Sequence, residues 1–600
     1  MNTSTPIRDG APVDPALRVS RAASAGRSAD IAPDTRGLDY WEIDPSLRSL
    51  LPLYMDDELL AHLTPHLAEL GALAGGRLGE LADICERHEP VLRRRDRYGR
   101  DEEWLEFHPA YREMEKIAYA RFGMHAMTNR PGVLGWPEKM PPIAKYVFHY
   151  VFAQAEFGLL CPVNLTDSSS HLVDLFGSDD LRERFLPDMW TQDTSRLIRM
   201  AQFMTEKAGG SDIGRSDLTA VRDGDHWRLW GEKWFCSNVD AEAAVLLARP
   251  EGGPPGSKGL GLFLLPKTLE DGSRNSYRII RLKEKMGSRS MASGELMFEG
   301  AVAYQLGELD QGLKQMLVMV NSSRISHLTR AAGMMRRCWN EARTVAAHRG
   351  AFGKRVIEHP LMRRQLMKML IPTEQSLSAL LYAAAVSGED TPKARKVLRM
   401  LTPIMKYRAC RDNVPVATAA LEARGGNGYI EDWPNSRLVR DAHLGLLWEG
   451  TSSINSLDAI QRAVGKERAH EALAEDLGER IAEAGLPGQF RTLLTGAVDR
   501  AVAFADEVAS DPAHERWSRE AAGGLYHATT AALMAAEGQA LGASGGDARR
   551  LLMSRFVIEH RLKERGSLSL SARRWEEEAI ELLLSDAPVP LDDARRIVQA

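Results

Sequence analysis

Apolar residues recur at three- and four-residue steps between Pro45 and about Asp193, as in Leu59, Leu60, Leu63, Leu67 and Leu70. That is the period of a helix with one buried face. Gly75-Gly76 and Pro131-Gly132 interrupt it and predict helix ends. From about Arg199 the pattern changes to short apolar runs, Trp227–Trp230, Ala244–Ala248, Leu260–Leu265 and Gly294–Phe298. Turn-forming clusters part them at Asp223-Gly224-Asp225, Glu251–Gly256 and Asp271-Gly272-Ser273. Short strands at this spacing predict a small β-sandwich or barrel. Helical periodicity returns at Gln311 and runs to the end, broken at Gly485–Gly488 and Gly545-Gly546.

The expected organisation is an α+β multidomain chain. It has an extended or disordered tail over 1–36, a helical domain over 37–198 and a β domain over 199–303. A helical-bundle domain over 304–465 and a helical extension over 466–600 follow. Helices and strands in separate blocks argue against a βαβ nucleotide fold. No GxGxxG follows a predicted strand and no Walker A sequence occurs, so a nucleotide cofactor would be held another way.

Charge and composition narrow the classes. The 600 residues carry 77 Lys plus Arg against 82 Asp plus Glu, net −5, which argues against a general polyanion binder. Five scattered cysteines show no CxxC and no zinc spacing, so neither a disulfide scaffold nor a structural metal is expected. The tail lacks the apolar core of a signal peptide. Lys145–Val163 is the most apolar stretch, but His149, Gln154 and Glu156 lie in it, so it reads as a buried helix and not a membrane span. A cytoplasmic protein is expected.

Several segments could carry chemistry. Met204–Asp212, with Gly209-Gly210-Ser211, is a loop whose N–H groups could meet an anion or a polar ring; it reads equally as an N-capping turn. Trp234, Phe235 and Ser237 are either a core aromatic pair with a hydroxyl or the wall of a planar cofactor. Arg349–Gly353 places a cation at a helix end near glycine, which can be purely structural. Glu422–Tyr429 is a glycine-rich turn that lets backbone approach a pyrophosphate, or simply breaks a helix. In Trp448–Ser453, Glu449 is a carboxylate in a small-residue turn.

Together and in order these segments resemble the acyl-CoA dehydrogenase family over about 120–465. Arg97–Arg100, Phe107–Tyr111, Arg281–Ser293 and His359–Arg363 are similar to its alkylation-response, AidB-like branch. The resemblance implies an N-terminal helical domain, a central β-sandwich or barrel, a C-terminal four-helix bundle and bound FAD. It implies a homo-oligomer, dimer or tetramer.

By the same resemblance, Met204, Thr205, Gly210 and Ser211 lie against the flavin ring and pyrophosphate, and Phe235 and Ser237 flank the ring. Arg349, Phe352, Glu422, Gly425 and Gly426 match positions that reach the FAD of a neighbouring subunit. Thr451 and Ser453 match adenosine contacts. The chain departs from the family at Phe235, usually Trp, and at Glu422 and Ser453, often Gln. A carboxylate at 422 repels a pyrophosphate unless Arg424 or a water intervenes. Glu449 matches the catalytic base, which would take the α-proton of a thioester while a hydride passes to flavin N5. Arg324 matches a substrate-contacting position, and pairing with a carboxylate is the alternative. Arg440-Asp441 reads as an ion pair orienting the Glu449 segment.

The function so implied is α,β-dehydrogenation of an acyl-CoA, with electrons passing to an electron-transfer flavoprotein. The alternative is a DNA-associated flavoprotein of the alkylation response with weak dehydrogenase activity. Residues 471–600 hold 22 acidic against 15 basic residues, which disfavours DNA. A local stripe of Arg561, Lys563, Arg565, Arg573 and Arg574 is followed by Glu576-Glu577-Glu578.

Overall fold

A computed structural model describes residues 31–563 and 574–599. The chain divides into two compact units: residues 77–326 form one, and residues up to Gly76 together with 327–600 form the other.

In the unit of residues 77–326, helices Pro142–Ala153 and Leu160–Phe176 are almost wholly buried. The single helix expected across Lys145–Val163 is thus two. Buried Glu156 lies between them, its carboxylate accepting from the N–H groups of Gly158 at 2.9 Å and Leu159 at 2.6 Å at the start of the second. The N-terminal block is also not all helical. Strands β1 (Val91–Arg95) and β2 (Asp101–Glu106) form an antiparallel hairpin. Its cross-strand pairs are Arg93–Glu106 and Arg95–Asp101, at 2.6 and 2.8 Å. Charged strands carry no apolar alternation, so the hydrophobic pattern gave no sign of them.

The β region closes on itself. Strands β3 (Met200–Phe203) through β9 (Ser293–Leu306) form one sheet in which β6 (Ala243–Pro250) pairs with both β4 (Thr219–Asp223) and β7 (Gly261–Pro266). β5 (His226–Ser237) and β9 complete the ring as its two longest strands. Inward positions Phe203, Leu229, Leu246, Phe263, Leu296 and Phe298 fill it. The register between β5 and β9 slips between Lys233 and Cys236, which puts Trp234 and Phe235 in an irregular stretch at the strand end.

The other unit is helical. Helix Gly312–His348 runs into it and is followed by Pro360–Val386 and Pro392–Arg424. Of the expected tail, 1–30 lie outside the described residues. The segment just after is docked: Thr35 is fully buried and its hydroxyl donates to Glu341 at 2.6 Å. The extension after 466 breaks at Gly485–Gly488 and Gly545-Gly546 as the glycines predict, and also at Asp511–Trp517, where there is none, giving helices Ala469–Glu483, Gly488–Ser510 and Ser518–Ala543.

A buried polar network ties three stretches of this unit together. Glu374 pairs with Arg336 and Arg550 at 2.5 Å each and accepts from Ser46. Glu537 pairs with Arg550 at 2.7 Å and accepts from Tyr54 and Ser378. Burial alone would raise the Glu374 carboxyl; the two guanidinium groups outweigh it and hold the pKa at about 2. Among the described residues, no helix is long and apolar enough to cross a membrane.

Candidate active site

The loop after β3 is held from beneath. Lys233, on β5, is fully buried, and its ammonium donates to Glu206 at 2.5 Å and to the Met204 carbonyl at 3.3 Å. Glu206 also accepts from the Ser216 hydroxyl and from the N–H groups of Asp217 and Leu218. Burial raises the Glu206 carboxyl, but Lys233 and these donors bring it below the usual carboxylate range. The Trp234 N–H donates to the Thr205 carbonyl at 2.9 Å, so the loop is fastened to the strand that carries Phe235 and Ser237. A β-carbon at Gly210 would meet Thr205 at 3.1 Å. Gly210 and Ser211 lie exposed at the loop surface, while Met204 and Thr205 are half-buried.

The aromatic pair is not core. Phe235 is 55% exposed, and its ring meets Trp234 edge-on at 6.3 Å. Lys283 places its ammonium 3.2 Å from the Trp234 centroid and 4.8 Å from that of Phe235. Glu295 anchors this ammonium at 2.6 Å and also holds Arg281 at 2.8 Å. Arg324 is buried inside helix Gly312–His348, not at a helix start, and its guanidinium reaches Asn321 at 3.4 Å.

In the helical unit, His348 ends its helix, and the chain makes a small hairpin of β10 (Gly350–Ala351) and β11 (Lys354–Arg355) in place of a glycine cap. Phe352 and Gly353 turn it at φ +51° and +75°. An aromatic residue in the left-handed region is unusual, and Phe352 is 97% exposed. The Arg349 guanidinium donates to the Arg424 carbonyl at 3.2 Å and lies against Gly425, whose φ is +73°. A β-carbon at Gly425 would sit 2.9 Å from it, whereas one at Gly426 would meet nothing within 4 Å. The two segments predicted to share a ligand, Arg349 and Gly425-Gly426, are therefore side by side.

Arg424 is committed elsewhere. It is buried, donating to Glu341 at 2.7 Å and Asn435 at 2.9 Å and packing on Trp433. It does not screen Glu422, whose side chain is exposed. Arg440 pairs with Glu431.

Glu449 is half-buried and has φ +53°. A left-handed conformation at a residue with a β-carbon costs about 1–2 kcal/mol. The turn persists because its carbonyls are tied. The Asn455 amide donates to the carbonyls of Glu449, Gly450 and Thr451 at 3.3, 2.8 and 3.0 Å. Buried Lys406 donates to the Gly450 carbonyl. Thr451 caps helix Ser452–Leu457, its hydroxyl accepting from the Ile454 N–H at 3.4 Å, and Ser453 is exposed on that helix. Trp448 packs edge-on to His327 at 5.5 Å and under Arg330 at 5.4 Å. Burial, then Arg330 and Lys406, keep His327 well below its usual pKa, hence neutral.

The sequence reading did not single out Lys406 or Asn455. Asn455 lay within reach, one helical turn beyond Thr451. Lys406 precedes Gly450 by 44 positions on another helix, and no local pattern marks it.

A helical block, a closed β region with an exposed aromatic beside a glycine loop, and a helical block with a carboxylate on a strained turn define a class: the flavin-dependent oxidoreductases. Sequence profiles match in that order. The AidB adaptive-response N-terminal domain matches residues 31–193, and the acyl-CoA dehydrogenase middle and C-terminal domains match 201–301 and 310–465. The chain belongs to the acyl-CoA dehydrogenase family, in its AidB-like branch. Acyl-CoA dehydrogenase family member 11 of Caenorhabditis elegans is 31% identical over 71% of this chain and 70% of its own length. The putative acyl-CoA dehydrogenase AidB of Escherichia coli (strain K12) is 32% identical over 74% and 80%. The crystal structure of C. elegans ACDH-11 in complex with C11-CoA superposes with a TM-score of 0.80 at 26% identity, covering 91% of this chain and 95% of that one.

Proposed function

We propose that this chain is an FAD-dependent acyl-CoA dehydrogenase that forms an α,β double bond in an acyl-CoA thioester, with Glu449 as the base. The observation that carries this reading is the Glu449 turn: a half-buried carboxylate on a strained backbone that two buried donors hold in place. Support for FAD comes from residues that fit it. Gly426 gives an open backbone, and Gly425 brings it close to the Arg349 cation, which suits a pyrophosphate. Phe235 and Ser237 offer an exposed aromatic and a hydroxyl at a strand end. When bound, FAD would supply the two-electron acceptor that takes the β-hydride at N5. Met204, Thr205, Gly210 and Ser211 would border the ring and pyrophosphate, and Thr451 and Ser453 the adenosine.

Glu449 would then take the α-proton onto its carboxylate. That transfer becomes feasible when the thioester oxygen is hydrogen-bonded and water is excluded around the base. Arg324 would hold part of the CoA moiety. Phe352, Glu422 and Arg349 would meet the FAD of a second copy, in a dimer or tetramer; the 97% exposure of Phe352 supports a partner there. An electron-transfer flavoprotein would accept the electrons. The complex of C. elegans ACDH-11 with C11-CoA makes C11-CoA the first substrate to try. Anaerobic addition of C11-CoA should bleach the flavin of the wild type, and Glu449→Gln should slow bleaching by about 10²–10⁴-fold. No bleaching by acyl-CoAs of any length would remove the proposal.

The likeness to AidB carries a second reading, association with DNA. Against it, Lys563 pairs with Glu559 at 2.8 Å, and the 471–600 segment is net acidic. Arg565 and Arg573 of the stripe lie outside the described residues. A gel shift with duplex DNA at low salt decides: retardation that salt abolishes supports this reading.

A further inference from the structure

The backbone of Glu449 is fixed by its neighbour's carbonyl. Gly450 has φ +91°, and a β-carbon there would stand 3.1 Å from both the Asn455 amide and Ile454. Its oxygen takes two donors, the Asn455 amide and the ammonium of Lys406. Lys406 is 1% exposed on helix Pro392–Arg424. An ammonium is costly to bury, and a charge-assisted bond to a carbonyl is about twice as strong as a neutral one. Packing alone would be met by an apolar side chain at this position. Placing a cation there instead fixes the direction of one peptide group, the one between Gly450 and Thr451, in the turn that carries Glu449. The groups around it fit this role: neutral His327 and Arg330 flank Trp448, the residue before Glu449, and the Cys410 thiol reaches the His327 carbonyl at 3.8 Å.

We propose that Lys406 is a positioning residue: through the Gly450 carbonyl it locks the left-handed backbone that aims the Glu449 carboxylate, while Asn455 secures the carbonyls on either side. The inference rests on the reading of Glu449 as base.

The test uses the FAD-loaded enzyme and 3-thiaundecanoyl-CoA. Sulfur replaces the β-carbon of this analogue, so it can lose an α-proton but has no β-hydride to give. In D2O the α-proton passes to the Glu449 carboxylate and a deuteron returns, and NMR reads the exchange. Expected is exchange in the wild type, at least tenfold slower exchange in Lys406→Met, and partial recovery in Lys406→Arg. The dissociation constant of the analogue should change less than twofold in these variants. Exchange in Lys406→Met within twofold of wild type overturns the inference, as does a loss fully accounted for by weaker binding. If Lys406→Met does not fold, Lys406→Gln, which keeps a neutral donor, is judged by the same limits. Absence of exchange in the wild type removes Glu449 as base, and the inference falls with it; exchange in the wild type but unchanged in the variants removes the inference alone.

Discussion

At the scale of single residues, the site depends on backbone positions that ordinary side chains avoid. Gly425 at φ +73° touches the Arg349 guanidinium. Gly425→Ala puts an alanine at φ +73° and ψ −147°, a region essentially confined to glycine, at about 1–3 kcal/mol, and a methyl 2.9 Å from that cation. The expected result is weaker FAD retention, measured as a raised dissociation constant, with the secondary structure unchanged by circular dichroism. The Glu422 carboxylate lacks the shield that sequence adjacency to Arg424 suggests, because Arg424 turns inward to Glu341 and Asn435. Residues two apart on a helix point about 200° apart, so Glu422 and Arg424 face nearly opposite sides despite their nearness in sequence. Glu449, Gly425 and Phe235 were legible as motif positions. Of the donors that hold Glu449, Lys406 was not, since it meets the turn only through tertiary packing.

At the scale of elements, the loop after β3 and the strand β5 act as one piece through the buried Lys233–Glu206 pair. Lys233→Met leaves Glu206 buried without its cation. Breaking such a pair costs about 3–5 kcal/mol, so the midpoint of denaturant unfolding should fall clearly, whereas Lys207→Met, on an exposed side chain of the same loop, should leave it nearly unchanged. The apolar β runs and the glycine breaks of the extension were read correctly because their signals are local: turn residues and alternation for the strands, Gly485 and Gly545-Gly546 for the helix ends. The β1–β2 hairpin escaped because its strands are bound by charge pairs such as Arg95–Asp101, and hydrophobic periodicity is blind to those. The apolar run Lys145–Val163 holds two helices because Glu156, a charge inside that run, gives its carboxylate to the N–H groups of Gly158 and Leu159 at the start of the second.

At the scale of the molecule, the C-terminal extension belongs to the same compact unit as the bundle and the N-terminal segment. The Glu374–Arg550–Glu537 network connects all three. Because the folded pKa of Glu374 lies near 2 and its ordinary value is 4.5, its stabilisation is complete above about pH 4.5 and is lost as pH falls toward 2. The difference corresponds to about 3 kcal/mol at ~1.4 kcal/mol per pKa unit. Urea unfolding between pH 5 and pH 3 should show the larger part of this loss, about 2 kcal/mol, and a Glu374→Gln variant should show a shallower dependence. Family membership was readable from motif order across the chain, as the three matching domain profiles agree with it.

The proposed function rests on removal of a proton from an acyl thioester by Glu449. Its most direct test is anaerobic titration of the FAD-loaded wild type and Glu449→Gln proteins with C11-CoA, followed by the flavin's visible absorbance. Prompt bleaching is expected in the wild type and loss of it in the variant, with C11-CoA still bound by both. Equal bleaching in the two proteins would contradict it.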